Sequence, residues 1–148
     1  MLKASGGGFC PQTGADNEVW SYGPEAEKCM TKYIRMRYRL KPYITEAMKA
    51  AHEKGTPVIR PVFYDFPADK TAWDANEEYL FGSDILVAPV LYPGARTKDV
   101  YLPAGAKWVE AETGKVFEGG QMVTVDAPLD TIPLFVREGA EVLGLIKG

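Results

Sequence analysis

Acidic side chains give this chain its widest chemical reach. Asp65 follows a short apolar run, Asp84 precedes another, and Glu77-Glu78 lie between them. Two carboxyls on opposite sides of a bond can divide acid and base work, which is the chemistry of glycoside cleavage. An acid at the C-terminal end of a strand, as Asp65 would be, stands where α/β barrels keep their catalytic groups. The spacing pairs no two of these acids across a cleft, however. Asp65 reads first as a turn residue, and Glu77 and Glu78 as the solvent face of a short helix. His52 is the single histidine, so a nucleophile–base triad would depend on it alone. It stands beside Lys54 in the last turn of a helix, where the dipole favours positive charge. The chain has no phosphate-binding loop of the Walker type and no G-x-G-x-x-G phrase. Trp20, Trp73 and Trp108 could stack on sugar rings, although core packing is the commoner use of an aromatic ring. Trp20, in the loop-rich start, is the candidate among them.

Those groups need elements to hold them. Pro24 suits a first helical position, where its missing N–H costs nothing, and Glu25 and Glu27 complement the positive end of the dipole. Apolar residues recur near a 3.6 period from Ala26 to Ala51. Gly55 is a C′ residue and Pro57 a stop. The pattern predicts a helix over 24–54, kinked or split by Pro42. Arg35, Arg37 and Arg39 cannot share one helical face, so at least one should meet a carboxylate or carbonyl partner. Residues 57–64 read as a buried strand with Pro61 at its end or an edge. Residues 65–69 read as a turn, 72–81 as a short helix ending at Gly82, and 85–90 as a second buried strand. After that the texture changes. Short strands alternate with turns at 103–105, 112–114 and 119–120, the pattern of a β-sandwich.

The chain has 148 residues, 46% hydrophobic and 25% charged, which fits a folded globular chain of one or two domains. A complete (β/α)₈ barrel is excluded because it needs about 250 residues. The net charge of −3 offers nothing to nucleic acid. No apolar run approaches the roughly 20 residues of a membrane span, and the first residues lack the apolar stretch of a signal peptide. These features predict a cytoplasmic chain. Cys10 and Cys29 do not make a disulfide framework, and one histidine does not make a typical Cys/His zinc cluster.

Several phrases, read in order, resemble glycoside hydrolase family 31, the α-glucosidases and α-xylosidases. They are Glu18-Val19-Trp20-Ser21-Tyr22-Gly23, the run from Tyr33 to Ile44, and Gly55-Thr56-Pro57-Val58-Ile59-Arg60-Pro61. Further phrases are the run from Tyr79 to Val90, Val100-Tyr101-Leu102-Pro103, Thr113-Gly114, and Ile132 to Ala140. The resemblance implies an α+β chain: a fragment of a (β/α)₈ barrel (long helix, buried strand, short helix) followed by an all-β sandwich. The expected divisions are 1–23, a loop-rich leading segment; 24–85, the barrel piece; and 86–148, the sandwich.

In the family, the catalytic nucleophile and acid/base aspartates come from barrel strands upstream of everything here, so the resemblance implies no catalytic residue in this chain. The family also has an Arg-x-His-Gly phrase that helps bind sugar hydroxyls. Its counterpart here is Lys3-Ala4-Ser5-Gly6, with lysine for arginine and serine for histidine. Lys3 and Ser5, together with Trp20, are therefore the candidate substrate-binding residues. The family's chemistry implies no metal and no organic cofactor. Two expectations follow. One is a C-terminal, non-catalytic portion of a retaining α-glycosidase that is inactive as an isolated chain. The other is a free-standing remnant acting as a self-associating or sugar-binding module. A severed barrel would expose strand edges and a helix face, so a homo-oligomer is expected, a dimer before other states, with a carbohydrate as the possible ligand.

Overall fold

The computed structural model describes residues 18–148. The chain divides into two compact units, one reaching Tyr38 and the other running from Arg39 to Gly148. In the first, a 3₁₀ turn over Val19–Tyr22 leads through Gly23 into helix α1, Pro24–Arg39. Pro24 opens α1 with Glu25 and Glu27 in its first turn, as the sequence predicts.

Pro42 splits the long helix. Helix α2 spans Lys41–Lys54 with the proline in its first turn, where no N–H is required. Gly55 adopts a left-handed φ of 70° and donates to Ala51 O at 3.1 Å, a C-terminal cap that glycine reaches without strain. One of the three arginines has the carbonyl partners expected of it. Arg39 donates from Nε to Leu145 O at 2.9 Å and from Nη2 to Ile146 O at 3.0 Å. These carbonyls belong to the end of a helix at Val142–Lys147, where a cation is favoured.

Three expectations for the middle of the chain are corrected. The strand expected over 57–64 is only β1, Ile59–Arg60. Pro61 has no N–H for a ladder, and it opens helix α3, Val62–Asp65. The helix expected over 72–81 is a 3₁₀ turn, Thr71–Trp73, followed by strand β2, Tyr79–Phe81. Gly82, at φ 65°, turns the chain back into β3, Ile85–Val87, so it closes a hairpin rather than a helix. Glu77 and Glu78 consequently precede a strand. The third correction is to Glu78, expected to face solvent, which is buried at 8% exposure.

The remaining strands are β4 (Thr97–Leu102), β5 (Lys107–Glu110), β6 (Val116–Glu118), β7 (Gln121–Asp126) and β8 (Leu134–Arg137). Helix α4, Val142–Lys147, was not expected. Six strands form one sheet in the order β1-β2-β3-β8-β5-β6, and β4 pairs with β7 in a second. Every pairing among the described residues is antiparallel. The one strand assigned to a barrel, Ile59–Arg60, pairs antiparallel with Leu80 and Phe81.

The core lies between the two sheets. Alternation along β4 and β7 turns Val100, Leu102, Val123 and Val125 inward, to meet Leu80, Leu86, Trp108 and Phe135 of the larger sheet. Trp108 is completely buried, and its Nε1 donates to Pro103 O at 3.2 Å, satisfying the one polar atom that the ring takes inside. No helix among the described residues is long and apolar enough to cross a membrane.

Candidate functional site

A concavity of the second unit with polar walls lies between α2 and the β2–β3 turn. Its volume is about 450 Å³, within the range that holds a small ligand. Helical spacing sets one wall, because Tyr43, Glu46, Ala50 and Lys54 fall on one face of α2. Arg60 and the Ser83-Asp84 pair form the other.

Tyr43 organises this wall. Its hydroxyl donates to Phe81 O at 2.9 Å and accepts from the Asp84 amide at 3.0 Å, so it fastens both arms of the hairpin to α2. Gly82 makes that approach possible. A Cβ there would lie 2.1 Å from the Tyr43 hydroxyl oxygen. Burial pushes the Tyr43 phenol above its ordinary range, against the lowering effect of the Asp84 amide. Arg60 is 6% exposed and pairs through Nη2 with Asp65 Oδ2 at 3.0 Å, while Nη1 donates to Pro57 O at 3.3 Å. Arg137 reaches the same carboxylate oxygen at 3.9 Å, with its guanidinium 4.8 Å from the centre of the Phe66 ring. Asp65 is thus a structural counter-ion rather than a free acid at a strand end.

A second acidic cluster fastens β4. Glu78 Oε2 accepts the Tyr101 amide at 3.1 Å. Asp69 Oδ2 accepts the Ala104 amide at 2.8 Å and the Tyr101 hydroxyl at 2.8 Å. Glu77 pairs with Lys98 and accepts from the Tyr92 hydroxyl. Among the described residues β4 pairs with β7 alone, and Glu78 takes the Tyr101 amide of β4 while Asp69 takes that of Ala104 just past its end. Burial raises the Glu78 carboxyl to about 7, only partly opposed by the Tyr101 amide and Lys98. Burial also acts to raise Asp69, but the bonds from Ala104, Tyr101, Ala72 and Thr71 outweigh it and the carboxyl stays low. The Lys98 bond, then the Tyr92 bond, lower Glu77.

Hydrolysis with two carboxyls needs one protonated and one ionised across a shared space. The acid raised toward neutrality, Glu78, is committed to Tyr101 and does not line the cavity, whereas Glu46 and Asp84 line it. The cavity offers an array of donors and acceptors suited to holding a polar molecule. Among the described residues no group of three or more His, Cys, Asp or Glu could hold a metal ion.

Lys3 and Ser5 lie outside the described residues. Trp20 is 66% exposed on its 3₁₀ turn. His52 is exposed in the last turn of α2, the position expected of a dipole-stabilised side chain. Sequence reasoning overlooked Tyr43, Glu46 and Arg60. The repeat of Tyr43, Glu46, Ala50 and Lys54 along one helical face was the available signal.

Comparison with known proteins accounts for the architecture. The family model described as the glycosyl hydrolase family 31 C-terminal domain matches residues 55–142. Alpha-glucosidase 2 of Bacillus thermoamyloliquefaciens is 38% identical over 131 residues, covering 88% of this chain and 16% of that protein. The alpha-xylosidase of Saccharolobus solfataricus is 42% identical over 137 residues, covering 89% and 19%. Among solved structures, a family 31 α-xylosidase from a soil metagenome, complexed with xylose, superposes with a TM-score of 0.87 at 48% identity, covering 90% of this chain and 20% of that one. A Flavobacterium johnsoniae family 31 dextranase superposes with a TM-score of 0.82 at 41% identity, covering 86% and 16%. The chain therefore spans a fifth or less of the length of these relatives. By family model, sequence and fold together, it belongs to glycosyl hydrolase family 31, whose C-terminal domain occupies residues 55–142.

Proposed function

We propose that this chain is the C-terminal, non-catalytic portion of an α-glucosidase- or α-xylosidase-like enzyme and does not hydrolyse glycosides by itself. The observation that carries this reading is the match to the family's C-terminal domain in a chain that covers 16% and 19% of two α-glycosidase relatives. On this reading residues 24–85 derive from the end of a catalytic barrel and residues 86–148 from the sandwich behind it. The two catalytic aspartates belong to the part this chain does not contain. Removing both acids from a retaining glycosidase forfeits nearly all its acceleration. Release of 4-nitrophenol from α-glucoside and α-xyloside substrates is the test. Purified chain should give the rate of buffer, and turnover that co-purifies with the chain would overturn the reading.

A second reading, a self-associating remnant, is favoured by one feature. Among the described residues β1 ends the six-stranded sheet with no strand on its outer edge, and Ile59 on it is 63% exposed. An open edge is a template for another strand. Light scattering over a concentration series should then report a dimer, and a monomer at every concentration would count against it.

A further inference from the structure

Two adjacent acids ahead of β2 fasten β4 to the rest of the second unit. Glu77 pairs with Lys98 of β4 and accepts from the Tyr92 hydroxyl on the link leading into that strand. Glu78 Oε2 accepts the amide of Tyr101, also on β4, at 3.1 Å. The two acids are not equivalent. The Glu77 side chain is 41% exposed, so water and a cation share its charge. Glu78 is 8% exposed, and its Oε1 is buried with no hydrogen-bond partner among the described residues.

The groups around Glu78 are already engaged. Lys98 and Tyr101 of β4 and the neighbouring Glu77 are the titratable groups that act on it. Lys98 is committed to Glu77, and the Tyr101 hydroxyl to Asp69. An ionised carboxylate out of water needs more than one amide to offset its lost hydration. The neutral acid needs far less, and it keeps the same oxygen for Tyr101. Burial is the chief influence on this carboxyl and raises it to about 7, with Glu77 acting in the same direction.

We propose that Glu78 is a pH-operated latch on β4: while neutral it holds the Tyr101 amide to the segment before β2, and once ionised it draws out to water and lets that contact open locally. The strand pairing permits a local event. β4 meets β7 through six residue pairs from Thr97 to Leu102, and the latch is separate from them, so the Tyr101 amide is released without dismantling either sheet. The opening differs from global unfolding in the little surface it exposes. It is independent of the family reading, since it involves neither catalysis nor a ligand.

The test is amide hydrogen exchange of the full chain, resolved by residue in nitrogen–proton correlation spectra and corrected for the intrinsic effect of pH on exchange. Between about pH 6 and pH 8 the exposed acid stays ionised while the buried one passes from mostly neutral to mostly ionised, so the opening constant at Tyr101 should rise about tenfold. In Glu78→Gln, which keeps the acceptor and cannot ionise, it should stay within about twofold. Low concentrations of urea separate local from global opening, because the urea response scales with the surface exposed. Tyr101 should exchange faster than the amides of β8, in the middle of the larger sheet, and with a much smaller urea response. Three results would each overturn the proposal: no rise at Tyr101 in the parent, an equal rise in Glu78→Gln, or a Tyr101 amide that matches β8 in both rate and urea response. The comparison with β8 is made within the parent, so it stands even where the variant folds poorly.

Discussion

Replacing Glu78 by glutamine should make the protein more stable in alkali and remove part of its pH dependence. Glu78 is 8% exposed, gives Oε2 to the Tyr101 amide and has no partner for Oε1. Lys98, Glu77 and Tyr101 are the charged or titratable groups that act on it, and Lys98 already pairs with Glu77. Burial dominates, and the carboxyl rises from 4.5 to about 7. That difference is equivalent to about 3 kcal/mol. For an acid whose pKa is raised by folding, the native state binds the extra proton, so stability falls as pH rises from about 4.5 to 7.

Glutamine keeps the acceptor for Tyr101 and never ionises. Urea unfolding followed by far-ultraviolet circular dichroism should find Glu78→Gln within about 1 kcal/mol of the parent near pH 5, and more stable by about 2–3 kcal/mol near pH 8. Asp69 and Glu77, held low, contribute the opposite slope in stronger acid in both proteins, so the difference between the two curves isolates Glu78. Parallel curves for the two proteins would refute the argument.

Other changes test other joints. Gly82→Ala puts a Cβ 2.1 Å from the Tyr43 hydroxyl at a φ of 65°; the hydroxyl is fixed by two hydrogen bonds, so the urea midpoint should drop by the equivalent of about 2 kcal/mol or more. Tyr43→Phe leaves the Asp84 amide without its acceptor and should cost about 1–2 kcal/mol in the same assay. Arg60→Met removes the closer of the two cations at Asp65 and should destabilise by about 3 kcal/mol in the same assay near neutral pH.

The helical part of the chain was legible because its punctuation is local. Pro24, Pro42 and Gly55 act on their own backbones, and each marks a boundary in the structure. The paired strands of the last third were legible from alternation and turn residues, as in Val123 and Val125 of β7. Elements whose fate depends on distant partners were not. Tyr79–Phe81 is too short for its period to be read, and it becomes a strand because β1 and β3 flank it. Helix α4 is a brief apolar run whose last carbonyls need Arg39, more than a hundred positions away in the chain. Glu78 read as a solvent-facing residue because its partner, the Tyr101 amide, is 23 positions further on. The cavity wall met the same obstacle. Tyr43 and Glu46 were visible on α2, but their convergence with Arg60 and Asp84 is a property of the fold.

Covalent trapping tests the central claim most directly. A retaining glycosidase forms a glycosyl–enzyme intermediate, and a fluorinated α-glucosyl or α-xylosyl fluoride makes that intermediate persist. Intact-mass spectrometry of the purified chain after such treatment should show the unmodified mass alone. A stoichiometric glycosyl adduct on an aspartate or glutamate of this chain would contradict the account.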